Sequence, residues 1–177
     1  MDARGSAVVA LAHDRPGDIV ECGVWRGGCS IYMSAVLKAR GVKGRSVWLC
    51  DSFAGMPQDH RLDPRDAAAQ GVLHLLDDFA ASLPTVNSSF SMVGLLDETG
   101  QFVEGYVETT LDKAPIERIA VLRLDGDYYS STMDILTALY DKVCDGGWLI
   151  VDDYGISTLG CKRAVGEFRE QHGITMP

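Results

Sequence analysis

The chain has 177 residues, 46% of them hydrophobic and 23% charged, with a formal net charge of −9. That length suits a single domain, residues 1–177, with a substantial core, and an acidic balance without a basic run argues against nucleic acid or anionic membrane as a partner. No apolar stretch reaches the ~20 residues of a membrane span, and the start, MDARGSAVVALAHDRPGD, lacks the long apolar region of a signal peptide. The five cysteines form no CxxC and the four histidines no HxxxH or HExxH. Free thiols in a reducing cytoplasm are therefore expected, rather than a disulfide framework or a zinc site.

In chain order, residues 2–13 read as a short helix leading into the turn Arg15-Pro16-Gly17-Asp18. Ile19, Val20 and Cys22 make a first strand, and Gly23, Gly27 and Gly28 make a turn of the form GxxxGG. Residues 30–40 have helical periodicity and stop at Gly41. A strand, a glycine turn and a helix form a nucleotide-binding opening, because the turn admits a ligand close to backbone and the helix start offers free N–H groups. The second strand, SVWLCDSF, reaches Asp51, an acid placed to bind ribose hydroxyls, with Glu21 as a second acid near the first turn. Capping of a following helix is the ordinary alternative for Asp51.

Residues 57–96 read as a lid and helix layer: loop through MPQDHRLDPRD, helix over 67–83, a turn at Pro84, then a segment ending in GLLD. His60, Arg61 and His74 lie in it and are candidates to touch substrate, although surface exposure is the commoner role for such residues. A third strand is expected around Phe102 and Val103, followed by Gly105 and Tyr106.

Two later runs carry the strongest signal. IAVLRL stops at Asp125-Gly126-Asp127, and GWLIV stops at Asp152-Asp153. Such short, nearly continuous apolar runs suit parallel strands buried on both faces. Between them residues 132–142 read as a helix closed by Asp145-Gly146-Gly147, so the two strands are parallel and end at the same sheet edge. Asp125, Asp152 and Asp153 therefore converge where open α/β sheets bind ligands. Three carboxylates together repel one another unless neutralised, and all-oxygen ligands point to a hard divalent ion such as Mg²⁺. Helix and turn capping explains a single aspartate better than it explains the set. Arg123 interrupts its strand and calls for an acid at the same edge or on a covering helix. Residues 161–172 form a last amphipathic helix, with Val165, Phe168 and Arg169 at helical spacing.

DIVECGVWRGGCSIYM, VWLCDSFAGMP, LLDETGQFVEGY, the segment from APIERIAVLRLDGDYYSST to GGWLIVDDYG, and CKRAVGEFREQHGI together resemble the macrocin O-methyltransferase family. The resemblance runs over residues 18–174. It implies a Rossmann-like class I methyltransferase fold of the α/β class, S-adenosylmethionine and Mg²⁺ as cofactors, and methylation of a sugar hydroxyl on a macrolide or related natural product. Carried over position by position, Asp125, Asp152 and Asp153 match metal ligands and Asp127 matches the general base. Glu21, Gly23, Gly27, Ser30, Asp51, Ser52, Tyr106 and Asp125 match cofactor positions, Tyr106 standing where the family usually has Trp.

The chain departs from the family in having Ser130 where an acid is frequent, in lacking the acid before Gly55, and in ending at Pro177 without the family's final strand pair. An open edge beside the fifth strand is expected, covered by further chain or by another subunit of a homo-oligomer. The rival acceptor is a catechol or other vicinal diol, which also offers two oxygens to a metal. An NAD-dependent dehydrogenase fits poorly, since the turn is not GxGxxG and the aspartates would have no role. A truncated, binding-only domain is the non-catalytic alternative.

Overall fold

A computed structural model of the protein describes residues 14–57, 63–67, 69–70 and 80–175. The helix expected over 2–13, most of the one expected over 67–83, and His60, Arg61 and His74 lie outside the described residues. Five strands, β1 (Asp18–Cys22), β2 (Val47–Asp51), β3 (Gly100–Glu104), β4 (Ile119–Leu124) and β5 (Val143–Val151), form one parallel sheet in the order β3-β2-β1-β4-β5. The helices whose bounds fall among the described residues are α1 (Gly28–Ala39), α2 (Leu83–Met92), α3 (Val107–Thr110), α4 (Tyr129–Leu139) and α5 (Cys161–Gln171).

Side chains alternate across a strand, so each strand feeds two cores. Ile19, Leu49 and Val121 pack with Met33 and Leu37 of α1 and with Val86 and Phe90 of α2. Val20, Leu122 and Leu124 pack on the opposite face with Ile135, Leu136 and Leu139 of α4 and with Val165 and Phe168 of α5. β4 is buried along all six residues, as its unbroken apolar run requires of a central strand.

The order reverses between β1 and β4, and the ladder there continues past the strand ends. The amide of Gly23 donates to Cys50 O at 2.9 Å, that of Asp125 to Cys22 O at 2.8 Å, and that of Asp152 to Leu124 O at 2.8 Å. These bonds align the first residue after each strand along one edge. The Gly turn, Asp51, Asp125 and Asp152 thus share that edge, as expected.

Three local expectations are corrected. Pro84 does not mark a turn; it sits in the first turn of α2, where Ser82 caps and proline's missing N–H costs nothing. The helix after Asp127 spans Tyr129–Leu139 and tightens into a 3₁₀ turn at Tyr140–Lys142. Asp145, Gly146 and Gly147 lie within β5, not before it. Ile119 pairs with Val143 but Val121 with Trp148, so the glycines form an outward bulge on the strand. Among the described residues, no helix is long and apolar enough to cross a membrane.

Candidate active site

The first wall of the site is the turn between β1 and α1. Gly23 has φ +85°, and a Cβ there would stand 2.0 Å from the carbonyl oxygen of Asp125, so only glycine lets β1 and β4 close together at this point. Gly27, with φ +83°, is the N-cap of α1 and supplies no capping side chain, so the helix start faces the edge uncapped. Asp51 braces the turn. Its Oδ2 accepts the amides of Val24 at 2.6 Å and Trp25 at 3.2 Å, and its Oδ1 accepts that of Phe53 at 2.8 Å. Ser52 Oγ donates to Gly55 O at 2.7 Å. Tyr106 follows β3 as the N-cap residue of α3, its carbonyl accepting the Thr109 and Thr110 hydroxyls.

Glu21 and Ser30 lie beneath the turn, each no more than 1% exposed. The Ser30 hydroxyl donates to Glu21 Oε2, and Arg123 Nη1 donates to Glu21 Oε1 at 2.7 Å. Arg123 also meets Asp125 Oδ2 at 2.9 Å and donates through Nη2 to Asp152 Oδ2. The charge inside β4 thus has its acid partners at the sheet edge, as its sequence setting demanded. Burial pushes Glu21 up to about 7 against the opposing pull of Arg123 and the Ser30 hydroxyl. Burial works against the Arg123 charge too, but Asp125 and Glu21 keep the guanidinium more basic than usual.

Beyond this buried layer stand the other carboxylates. Oxygens of Asp125, Asp127 and Asp153 lie within 4.8 Å of one another, from the loops after β4 and β5. Burial, with further repulsion from Asp152, raises Asp125 to about 6 despite Arg123. Burial followed by the charges of Asp125 and Asp153 raises Asp127 to about 7. Asp127 and Asp153 each take a left-handed backbone, both with φ +52°, as do Trp25 at +48° and Phe53 at +51°. Departures of this kind from ordinary backbone gather at functional sites. Asp152 is beside the trio, one oxygen turned to Arg123. A site with acids crowded at raised pKa and, among the described residues, the single guanidinium of Arg123 paired with them is chemically suited to a hard cation.

A fourth element has no counterpart among the residues that the sequence points to. The DPRD stretch, read as loop, forms a 3₁₀ turn at Pro64–Asp66, and Asp66 is fully buried against the start of α4. The stretch has a detectable signal, since Asp63 followed by Pro64 is a helix-start pattern. Its target, 63 residues further on, has none.

A parallel sheet whose order reverses at a glycine turn, with acids converging at that switch point, is a Rossmann-like architecture, the fold of class I methyltransferases among others. The solved structure of the O-methyltransferase NovP superposes with TM-score 0.93 at 41% identity, covering 99% of this chain and 72% of that one. The calicheamicin methyltransferase CalS11 shares the fold, with TM-score 0.71 at 20% identity over 94% of this chain and 69% of that one. The profile of the family described as Macrocin-O-methyltransferase (TylF) matches residues 4–177, and the chain belongs to that family. It is 45% identical over 173 residues to mycinamicin III 3''-O-methyltransferase of Micromonospora griseorubida, covering 94% of this chain and 65% of the relative. It is also 45% identical over 165 residues to demethyldecarbamoylnovobiocin O-methyltransferase of Streptomyces niveus, covering 93% and 62%. The chain therefore spans a little under two thirds of the length of these relatives.

Proposed function

We propose that the chain carries the active site of a metal-dependent O-methyltransferase that moves a methyl group from S-adenosylmethionine to a hydroxyl of a natural-product sugar. The observation that carries this reading is the aspartate cluster beside a glycine turn at one sheet edge, in a chain 45% identical to enzymes named as O-methyltransferases, one of them, from Streptomyces olivaceus, named for a rhamnosyl-tetracenomycin C. The donor supplies a sulfonium-bound methyl group; the C–S bond breaks as a C–O bond to the acceptor forms.

Each part of the edge then has a task. The uncapped start of α1 and the turn braced by Asp51 receive the donor's polar end and ribose, with Gly23, Gly27, Ser52 and Tyr106 around it and Glu21 and Ser30 holding the turn from below. Asp125, Asp152 and Asp153 hold Mg²⁺, which when bound makes an acceptor hydroxyl more acidic and fixes its orientation. Asp127, whose carboxylate oxygen lies within 4.8 Å of those of Asp125 and Asp153, accepts the hydroxyl proton. The proximity of Asp127 to Asp125 and Asp153 makes it the alternative third ligand in place of Asp152, whose Oδ2 is turned to Arg123. Cys22, Cys29, Cys50, Cys144 and Cys161 are all free thiols, consistent with a reducing cytoplasm.

The test is transfer of labelled methyl from S-adenosylmethionine to deoxysugar glycosides and, in parallel, to catechols, each with Mg²⁺ and with EDTA. Glycoside methylation that needs Mg²⁺ is expected. Preferential catechol methylation would replace the acceptor class, and undiminished transfer in EDTA would remove the metal. Manganese titration of Asp152→Asn and Asp127→Asn distinguishes the two ligand sets, since the true ligand's variant loses the ion.

A further inference from the structure

α4 begins two residues after Asp127, and its N-cap position, Tyr128, gives no side-chain cap. The first N–H groups of a helix need acceptors. Here the acceptor comes from a different part of the chain. Asp66 Oδ1 accepts the Tyr129 amide, and Asp66 Oδ2 accepts the Ser130 amide at 3.1 Å and the Ser130 hydroxyl at 2.8 Å. Both carboxylate oxygens are committed, and the residue is 0% exposed. Its neighbour Arg65 lies over the Tyr129 ring, 3.6 Å from the centroid, and reaches Glu167 of α5 at 3.2 Å. Tyr129 in turn donates its hydroxyl to Glu167 at 2.7 Å. Residues 63–66, between β2 and α2, thus clasp the base of α4 against α5.

The clasp bears on the loop that carries Asp127. That loop is held by the Gly160 amide, which donates to Asp127 O at 2.9 Å, and by the helix that starts at Tyr129. Asp127 keeps a left-handed backbone between these two anchors. Asp66, from the stretch between β2 and α2, fixes the second anchor.

We infer that Asp66 is a positioning residue: by capping α4 from the stretch between β2 and α2 it sets the Asp125–Asp127 loop for cation binding. The inference rests on the cation reading proposed above. Asp66 does not touch the cation; it acts through Tyr129 and Ser130. Partners of this outer kind typically change metal affinity by about 10- to 100-fold when removed.

The experiment compares Asp66→Ala, Asp66→Asn and Asp18→Ala with the unaltered chain. Asp18 accepts the Ser46 amide and Trp48 Nε1, both at 2.8 Å, at the opposite end of the sheet, so its variant measures general loss of stability. Mn²⁺ affinity is read by magnetic resonance of the free ion, S-adenosylhomocysteine affinity by calorimetry, and the amides of residues 126–131 by hydrogen exchange. Asp66→Ala is expected to weaken Mn²⁺ by about tenfold or more, to leave S-adenosylhomocysteine within about twofold, and to release the Tyr129 and Ser130 amides to exchange. Asp66→Asn recovers part of the ion affinity through its remaining oxygen, and Asp18→Ala leaves it unchanged. Unaltered Mn²⁺ affinity in Asp66→Ala, or an equal loss in Asp18→Ala, overturns the inference. Should the unaltered chain bind S-adenosylhomocysteine but no Mn²⁺, the metal reading fails, and exchange alone decides: retained protection of the two amides in Asp66→Ala overturns the capping role.

Discussion

Arg123→Met isolates the electrostatic layer on which the site is built. The Arg123 side chain is 8% exposed and faces Glu21 at 2.7 Å, Asp125 at 2.9 Å and Asp152. Methionine keeps most of the volume but leaves Glu21 buried with only the Ser30 hydroxyl. Breaking a buried pair from one side costs about 3–5 kcal/mol. At about 2–4 °C per kcal/mol for a chain of this size, the melting temperature should fall by about 6–20 °C. The penalty depends on pH. Without the guanidinium, Glu21 moves further above its value of about 7, so the folded state binds more protons than the unfolded one and loses stability as pH rises. Urea melts in EDTA should therefore show a larger deficit at about pH 8 than at about pH 5. The double variant Arg123→Met/Glu21→Gln should regain more than half of the loss, because the most deeply buried partner, Glu21, then carries no charge. A deficit below about 1 kcal/mol at the higher pH, or a double variant no more stable than the single, would refute the reasoning.

Asp125 and Asp127, raised to about 6 and about 7, make the cation-free fold take up protons that the unfolded chain releases. Its stability should fall as pH rises from about 4 to about 7. Mg²⁺ at about a hundred times its Kd should then add about 2.7 kcal/mol, or about 5–11 °C in melting temperature, near pH 8 and almost nothing near pH 4; an equal rise at both ends would contradict the cluster. Gly23→Ala should lose at least ~3 kcal/mol, since the new methyl meets the Asp125 carbonyl at 2.0 Å in a left-handed backbone; a near-neutral chemical melt would show that β1 and β4 do not close as described. Asp127→Asn should lower turnover by about 100-fold or more while S-adenosylhomocysteine affinity stays within about twofold; loss of cofactor binding instead would give Asp127 a structural role.

Most of the sheet was readable because its strands are short, apolar and punctuated. β4 and β5 announce themselves as IAVLRL and GWLIV, and the parallel crossover between them places Asp125 beside Asp152. The demand of Arg123 for an acid was also legible, since a charge inside a buried strand cannot stand alone. Its fully buried partner, Glu21, follows from strand order: β1 lies next to β4 and Glu21 registers against Arg123. The bulge at Asp145-Gly146-Gly147 was read as a helix end because glycine marks both, and only the pairing of Ile119 with Val143 distinguishes them. Asp66 was invisible for a different reason. A capping box within one helix leaves a local pattern, whereas a cap supplied across 63 residues leaves none.

The central claim is that this sheet edge binds a methyl donor beside a cation. Calorimetric titration of S-adenosylhomocysteine into the folded chain, with Mg²⁺ and again with EDTA, tests it most directly. The account predicts one-to-one binding that is lost in Asp51→Ala, where the Val24, Trp25 and Phe53 amides lose their acceptor. No binding heat from a chain whose circular dichroism shows the folded α/β sheet would contradict it.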